Sequence, residues 1–338
     1  MANIALFHIS GWEREYLTKK LTDAGHSVDV YDHSLDAEHL PDKRDYEVLS
    51  VFVGSAVTPD VIDAFGSVKL ITTRSTGYDH VDIAHARQKG ISVGYVPHYG
   101  ENTVAEFAMG LLLTLSRKLY LGIDRIKETA QFSYEGLEGF DLKGKTVGVI
   151  GTGRIGKHFI QMLKGFDARV VAYDVYPNKE LAAELGYTMV SLDELYAASD
   201  IISLHCPCTP KTTHLLNKEA FSKMKKGVVL INTARGALIQ TEALVAALQN
   251  GTVAGAGLDV LEEEGVASDE MGYVMHGGSL DKARTMLANH ILMDHPNVVI
   301  TPHNAFNTKE AKTRILDADF ENITSFLTSS VPAFPVKI

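Results

Sequence analysis

Three charged residues stand directly after apolar, strand-like runs in the second half of the chain. Arg235 follows LINTA, Glu264 follows GLDVLEE, and His303 follows NVVITP. A guanidinium can hold a carboxylate, an imidazole can transfer a proton near neutral pH, and a carboxylate can orient that imidazole and favour its protonated form. Together these side chains suit the reduction of a 2-oxo acid by hydride transfer, with His303 as the general acid/base.

The surrounding pattern predicts the elements that would bring these residues together. Short apolar runs alternate with helical patterns along almost the whole chain, which indicates parallel sheets covered by helices. In the second half, six such runs predict a doubly wound nucleotide-binding sheet: 146–150, 169–174, 200–205, 227–232, 253–260 and 297–301. The carboxyl ends of parallel strands form one ligand crevice, so the three charged residues are expected at the same sheet edge.

A glycine-rich loop stands between the first of these runs and a helical segment. Its sequence, GTGRIG at 151–156, has Gly151 for a tight turn, Gly153 for close approach of a pyrophosphate, and Gly156 for packing of helix against strand. The N-terminus of the helix offers free N–H groups to the phosphates. This context predicts a bound dinucleotide.

Asp174 stands 18 positions after Gly156, at the end of the next apolar run. A carboxylate there can accept hydrogen bonds from the adenosine ribose and would repel a 2′-phosphate, which favours NAD over NADP. The alternative for this residue is a helix N-cap or a turn aspartate.

Composition excludes several other classes of protein. The 338 residues carry a formal net charge of −10, which argues against general nucleic-acid binding. Cys206 and Cys208 are too close together for a disulfide and too few for a metal site, so reduced thiols in a cytoplasmic protein are expected, with no metal. The first residues do not resemble a secretion signal, and no run is long enough to span a membrane.

Several motifs, in order, resemble the D-isomer-specific 2-hydroxyacid dehydrogenase family over nearly the whole chain. They are RSTGYDHVD (74–82), ENTVAEFAMGLLL (101–113), GKTVGVIGTGRIG (144–156), LHCPCTPKTTHLLN (204–217), LINTARGALI (230–239), GLDVLEEE (257–264) and TPHNAF (301–306). The resemblance implies an α/β fold of two doubly wound parallel-sheet domains. A Rossmann NAD-binding domain at 101–303 would be inserted in a flavodoxin-like substrate domain at 1–100 plus 304–338.

The resemblance also implies roles for particular residues. The family's catalytic arginine, glutamate and histidine fall on Arg235, Glu264 and His303. Backbone N–H groups around Ser75, Thr76 and Gly77 are expected to bind the substrate carboxylate, with Tyr99 near the small substrate. Further NAD-contacting positions fall on Arg154, Ile155, His205, Cys206, Pro207, Thr212, Thr233, Ala234 and Asp259, the last beside the nicotinamide.

Pyruvate is the expected substrate and D-lactate the product. Tyr99, the AYDVYP segment and the 39 positions between Glu264 and His303 favour this small substrate within the family. A glyoxylate or hydroxypyruvate reductase and a broad 2-oxo-acid reductase remain alternatives, as does an NAD-sensing binding protein of the same fold. The apolar helix at 104–117 and the resemblance predict a homodimer. The sequence does not predict the structure of the insert at 265–295.

Other residues near these motifs have plainer interpretations. His98, His205 and His214 are expected on the surface or behind the site, because the family pattern gives them no carboxylate partner. Glu262 and Glu263 are expected to be solvated, since the spacing from the GLDV aspartate selects Glu264. The alternative for Tyr99 is packing between domains.

Overall fold

The computed structural model describes residues 1–264 and 279–336. The chain forms two compact units, Met1–Tyr99 together with the chain from Asn307 onward, and Gly100–Phe306. The domain boundaries predicted from the sequence lie one residue after the first crossing and three residues before the second. Of the insert at 265–295, residues 265–278 lie outside the described residues.

The first unit is built on a five-stranded parallel sheet. Its strands are β1 (Asn3–Phe7), β2 (Ser27–Tyr31), β3 (Val48–Val51), β4 (Leu70–Thr73) and β5 (Ser92–Gly94). Its first helices are α1 (Gly11–Asp23), α2 (Pro59–Asp63) and α3 (Ile83–Gln88). The strand order, β2-β1-β3-β4-β5, reverses direction between β1 and β3, as in flavodoxin-like sheets. Every residue of β3 and β4 is buried, which explains their continuous apolar runs.

The second unit is built on a seven-stranded parallel sheet. Its strands are β6 (Thr146–Ile150), β7 (Arg169–Tyr173), β8 (Thr188–Met189), β9 (Ile201–Leu204), β10 (Val228–Asn232), β11 (Val253–Leu258) and β12 (Val298–Ile300). The order is β12-β11-β10-β9-β6-β7-β8. The direction in which successive strands are added therefore reverses between β6 and β9, as in Rossmann folds. The predicted fold class, two doubly wound parallel-sheet domains, is confirmed.

Helices cover the faces of this second sheet. They are α4 (Glu101–Ser116), α5 (Leu119–Thr129), α6 (Arg154–Lys164), α7 (Lys179–Leu185), α8 (Leu192–Ala198), α9 (Lys218–Ser222), α10 (Thr241–Gln249) and α11 (Leu280–Met293). After the second unit, α12 (Lys309–Ser329) packs on α1 and β4 of the first unit. No helix in the described part of the chain combines the length and apolar composition needed to cross a bilayer.

The sequence did not predict β8, α5 or α11, the last of which lies within the insert at 265–295. The strand β8 has two residues, too few to show any periodicity. The helix α5 lies between α4 and β6, in a stretch for which the sequence predicted no element. None of its residues is buried, but Leu119, Ile123 and Ile126 recur at helical spacing, so the sequence did carry a signal for this helix.

The apolar helix α4 is buried within its own unit. It packs against α6, β10 and β11. The backbone of Gly257 in β11 lies so close that an added Cβ would stand 3.1 Å from Leu111 Cβ. Packing within this unit therefore explains the apolar composition of α4 without a subunit interface.

A buried polar network ties α12 to the strand ends of the first unit. Asp319 is 0% exposed and Arg74 2% exposed. The Ser50 hydroxyl donates to Asp319 at 2.7 Å and accepts from the Arg74 guanidinium at 2.7 Å, and Thr72 donates to the other carboxylate oxygen. Burial raises the pKa of Asp319, while the charge of Arg74 and the two hydroxyl donors oppose that change. The pair fixes the chain immediately before Ser75.

We expect Asp319→Ala to destabilise the protein by about 3–5 kcal/mol, because it leaves the Arg74 charge buried without its counter-charge. Asp317→Ala, on the same helix, is the matched control. Asp317 pairs with Lys20 near the surface, so its loss should cost no more than about 1 kcal/mol. Urea unfolding at neutral pH measures both, and equal losses would contradict the importance of the buried pair.

Candidate active site

The glycine loop has the geometry that a dinucleotide requires. Gly151 has a φ of +95°, and the helix α6 begins directly after Gly153. A Cβ added to Gly156 would lie 2.1 Å from the carbonyl oxygen of Gly151, so only glycine lets the helix approach the loop. Nothing lies within 4 Å of a Cβ added to Gly153, which leaves space for a pyrophosphate. The next residues, Arg154 and Ile155, form the first turn of α6.

Asp174 binds the glycine loop from the end of β7. One carboxylate oxygen accepts from the backbone N–H and hydroxyl of Thr152, at 2.7 and 3.0 Å. The other oxygen accepts from the backbone N–H of Tyr176 at 2.9 Å. Asn178, not Asp174, caps α7, so the alternative of a helix N-cap is wrong, although Asp174 does stabilise a turn. A carboxylate has about four acceptor sites, which leaves capacity for a ribose hydroxyl.

His205 lies beneath the glycine loop, behind the site. Its Nε2 shares a hydrogen bond of 2.8 Å with Ser203, and its ring packs 4.9 Å from that of Phe159. The other ring nitrogen is buried without a partner among the described residues. Burial lowers the pKa of His205 to about 3, so the imidazole is neutral under ordinary conditions.

The loop after β9 continues from His205 through Cys206, Pro207 and Thr212. Both cysteines are free thiols, and burial raises the pKa of Cys206 to about 11, so this thiol is not a nucleophile. The Thr212 hydroxyl donates to the carbonyl of Pro207 at 2.7 Å. The side chain of Thr212 therefore shapes the loop itself.

Residues after β10 offer one further polar group. Thr233 is 8% exposed, and its hydroxyl has no partner within the described residues. Ala234 is held by its backbone N–H, which donates to Asn232 Oδ1 at 3.0 Å. A buried hydroxyl costs free energy unless it is hydrogen-bonded, so Thr233 fits a position that a bound cofactor completes.

Three loops lie side by side at the carboxyl ends of β10, β11 and β12. In the ladder, Asn232 is paired with Leu258, and Leu258 with Ile300. Arg235 follows the first of these residues by three positions, and His303 follows the last by three. The sheet thus brings the loops of Arg235, Glu264 and His303 to one edge, as the sequence predicted.

Asp259 binds the loop that carries His303. Its carboxylate, 1% exposed, accepts from the Thr301 hydroxyl and from the backbone N–H groups of Asn304 and Ala305. Its own carbonyl accepts from the backbone N–H of His303 at 2.8 Å. The family resemblance implied only a place beside the nicotinamide for Asp259, and nothing in the sequence indicated these hydrogen bonds to the His303 loop.

His303 faces Glu264. Its Nδ1 lies 3.1 and 3.2 Å from the two carboxylate oxygens, across 39 positions of sequence. Both side chains are partly exposed, at 37% and 43%, so a substrate can reach them. His303 has a φ of +50°, a conformation that costs a non-glycine residue on the order of 1 kcal/mol. Such a backbone persists only where the surrounding contacts impose it.

Arg235 lies on a loop that touches the Glu264 loop at backbone level. A Cβ added to Gly236 would lie 1.9 Å from the carbonyl carbon of Leu261, so glycine is required there. The guanidinium of Arg235 donates to the carbonyl of Ala234 at 2.7 Å, its one hydrogen bond within the described residues. Most of its donors thus remain available to a ligand.

Two residues that the sequence analysis set aside form a second histidine–glutamate pair. His214 Nε2 lies 2.5 Å from Glu262 Oε1, and the Glu262 side chain is only 14% exposed. The prediction that Glu262 is solvated is therefore wrong. His214 is partly exposed, and it has a carboxylate partner that the family pattern did not indicate. Glu263 does lie near the surface, where it pairs with Lys282 at 2.8 Å.

In the first unit, Ser75, Thr76 and Gly77 form the loop after β4. Their three backbone N–H groups have no acceptor among the described residues. The Ser75 hydroxyl donates to the Gly77 carbonyl at 2.6 Å and the Thr76 hydroxyl to that of Val96 at 2.7 Å, which fixes the loop. Successive free N–H groups of this kind suit an anion such as a carboxylate.

Tyr99 ends the first unit's N-terminal segment. It is partly exposed, and its carbonyl accepts from Arg314 Nε at 2.6 Å. Its neighbour His98 is exposed, in line with the surface position predicted for it. Within residues 1–264 and 279–336, no cluster of three or more His, Cys, Asp or Glu side chains is arranged to hold a metal ion.

Comparisons with known proteins define the class. Residues 109–305 match the model of the D-isomer specific 2-hydroxyacid dehydrogenase, NAD binding domain. The chain belongs to the D-isomer-specific 2-hydroxyacid dehydrogenase family, and it is an NAD-dependent dehydrogenase. The alternative of an NAD-sensing binding protein is therefore set aside.

Particular relatives match along almost their whole length. A 2-hydroxyacid dehydrogenase homolog of Haemophilus influenzae is 39% identical over 97% of both chains. The D-lactate dehydrogenase of Escherichia coli is 37% identical over 95% of this chain and 96% of that one. The D-lactate dehydrogenase of Aquifex aeolicus, solved with NAD and lactic acid, has a TM-score of 0.82 at 35% identity, covering 96% of each chain.

The buried imidazole of His205 predicts a pH dependence of stability. Its folded-state pKa of about 3 lies below the ordinary value of 6.5, so the unfolded chain takes up the proton first. Stability should then fall as the pH drops below about 6.5, by about 1.4 kcal/mol per pH unit. His205→Asn, which cannot titrate, should lose this part of the slope.

Urea unfolding at about pH 7, 5.5 and 4.5 measures the slope for both proteins. His98→Asn, a replacement of an exposed histidine, is the control and should keep the original slope. Parallel slopes for the original protein and His205→Asn would show that the buried imidazole does not control this part of the acid sensitivity.

Proposed function

We propose that this dehydrogenase reduces pyruvate to D-lactate, with Arg235, Glu264 and His303 as its catalytic residues. The pairing of His303 Nδ1 with the Glu264 carboxylate, at 3.1 and 3.2 Å, is the observation that carries the proposal. The near full-length similarity to D-lactate dehydrogenases of E. coli and A. aeolicus supports pyruvate as the substrate.

His303 is the proposed proton donor. When bound, NADH supplies the hydride that reaches the carbonyl carbon. Glu264 lies against Nδ1, so Nε2 is the nitrogen left to face the substrate oxygen. Protonated His303 donates its Nε2 proton to that oxygen as negative charge develops, and accepts it back in the reverse reaction. Glu264 orients the ring and favours its charged form.

Two sets of donors are proposed to hold the substrate. Arg235 can bind the carboxylate with two parallel N–H groups and polarise the carbonyl, since its fork makes only one hydrogen bond within the described chain. The free N–H groups of Ser75, Thr76 and Gly77 supply a second set for the carboxylate, and Tyr99 is assigned a place near the small substrate. We assign substrate binding to residues 1–100 with 304–338.

The cofactor is assigned to residues 101–303. Gly151, Gly153 and Gly156 open the helix that receives the pyrophosphate, with Arg154 and Ile155 in its first turn. Asp174 is proposed to bind the adenosine ribose and to select NAD over NADP. The remaining contacts are assigned to His205, Cys206, Pro207, Thr212, Thr233, Ala234 and Asp259; the free hydroxyl of Thr233 supports this assignment.

His303→Ala should lower kcat for pyruvate reduction by about 10²–10⁴, because the proton donor is lost. His39→Ala is the control, because His39 forms an exposed imidazole–carboxylate pair with Asp36 and should leave kcat unchanged. Steady-state kinetics with NADH measure both variants. NADH titration by fluorescence checks that the cofactor site persists.

The substrate is tested on the same protein with pyruvate, phenylpyruvate, glyoxylate and hydroxypyruvate, each with NADH and NADPH. We expect the highest kcat/KM for pyruvate with NADH. A preference for glyoxylate or hydroxypyruvate would identify a reductase of those acids. Similar kcat/KM values for all four acids would identify a broad 2-oxo-acid reductase. A near-normal kcat in His303→Ala would overturn the catalytic assignment itself.

We further propose a cytoplasmic homodimer whose contact surface includes α5. The helix exposes Leu119, Ile123 and Ile126 by 49%, 52% and 45%, and Phe132 and Tyr134 follow it at 99% and 91%. A second copy presenting the same apolar surface would cover it symmetrically. The free thiols Cys206 and Cys208 support a reducing compartment.

Ile123→Asp should shift the protein from dimer to monomer, because it places a charge in the centre of that apolar surface. Val331→Asp replaces an exposed apolar residue of the first unit and should leave the dimer intact. Light scattering after size-exclusion chromatography gives both masses. A dimer that survives Ile123→Asp would exclude α5 as the contact.

A further inference from the structure

The pair of His214 and Glu262 has no part in the chemistry described so far. Its carboxylate is nevertheless the more buried of the two glutamates, at 14% exposure against 43% for Glu264. A nearly buried carboxylate is costly unless donors surround it. Glu262 is satisfied by His214 Nε2 on one oxygen and by the Thr241 hydroxyl, at 2.8 Å, and backbone N–H on the other.

These contacts connect Glu262 to three separate segments. His214 belongs to the loop after β9, and Thr241 is the first residue of α10. The backbone carbonyl of Glu262 accepts from Asn289 of α11, at 2.9 Å, and Asn289 is 2% exposed. Both the side chain and the backbone of Glu262 are therefore fixed.

The turn at Glu263 links the fixed position of Glu262 to the position of Glu264. Glu263 has a φ of +55°, a left-handed conformation at the turn between Glu262 and Glu264. Glu262 consequently faces α10 and His214, whereas Glu264 faces His303. The close contact between Gly236 and the backbone at Leu261 holds the Arg235 loop against the same turn.

We propose that Glu262 is a positioning residue for the dehydrogenase reaction: its carboxylate fixes the turn from which Glu264 reaches His303. The inference rests on the catalytic roles proposed for Glu264 and His303. His214 contributes by holding the Glu262 carboxylate in place. Misplacement of a catalytic group by about 1 Å can cost about a hundredfold in rate, so a residue that only sets the turn can control kcat.

The test compares Glu262→Gln with Glu263→Gln, neighbouring changes that remove the same charge. Among the described residues, Glu263 pairs with Lys282 near the surface, so its variant is the matched control. We expect Glu262→Gln to lower kcat for pyruvate by about tenfold or more with KM and NADH affinity little changed. The pH above which reduction slows should also move down, because His303 loses a well-placed carboxylate. Glu263→Gln should change neither.

A double-mutant cycle with Glu264→Gln shows whether Glu262 acts through Glu264. If it does, adding Glu262→Gln to Glu264→Gln should cause little further loss of kcat. Equal losses in both backgrounds, or a loss confined to NADH affinity, would overturn the inference. An unchanged kcat and pH profile in Glu264→Gln would instead overturn the proposed catalytic role of Glu264.

His214→Gln provides a second variant if Glu262→Gln fails to fold. It removes the imidazole but keeps the two Thr241 bonds to Glu262. We expect a smaller loss of kcat with the same acidic shift of the pH profile, again absent in the Glu264→Gln background. An unchanged kcat and pH profile in folded His214→Gln would overturn the contribution of the pair.

Discussion

The carboxylate of Asp259 lies one residue beyond the end of β11 and binds the loop that follows β12. At 1% exposure it has almost no access to water, so its acceptors must be satisfied by the chain. Burial raises its pKa, and the donors Thr301, Asn304 and Ala305, with the charge of His303, oppose that change. Because these donors lie on either side of His303, they hold the imidazole in place. The left-handed backbone of His303 is a local cost of this arrangement.

The remaining catalytic geometry depends on how closely adjacent loops approach. Parallel strands in register bring the loops after β10, β11 and β12 to one edge, and the missing side chain of Gly236 allows two of them to touch at the backbone. Glu262 and Glu264 then extend from one turn to different partners. The proposed proton donor is thus positioned by buried groups that do not meet the substrate, which is the usual requirement for a preorganised site.

Much of the fold could be predicted from the sequence, because strands buried on both faces leave continuous apolar runs. The GTGRIG loop and the strand-end positions of Arg235, Glu264 and His303 followed from the same local pattern. Some elements were missed. The strand β8 has only two residues, too few for a periodicity, whereas α5 carries Leu119, Ile123 and Ile126 at helical spacing, a signal that was overlooked.

By itself, the sequence determined the fold class, the dinucleotide loop and the residue types available for acid–base chemistry, since these depend on local spacing. Only the tertiary structure decided how those side chains are used. It buried His205 beneath the glycine loop, gave His214 a carboxylate 48 positions away, and turned Asp259 toward the His303 loop. Such contacts join residues far apart in sequence, and burial and hydrogen bonding in the folded chain, rather than spacing, determine which polar groups meet.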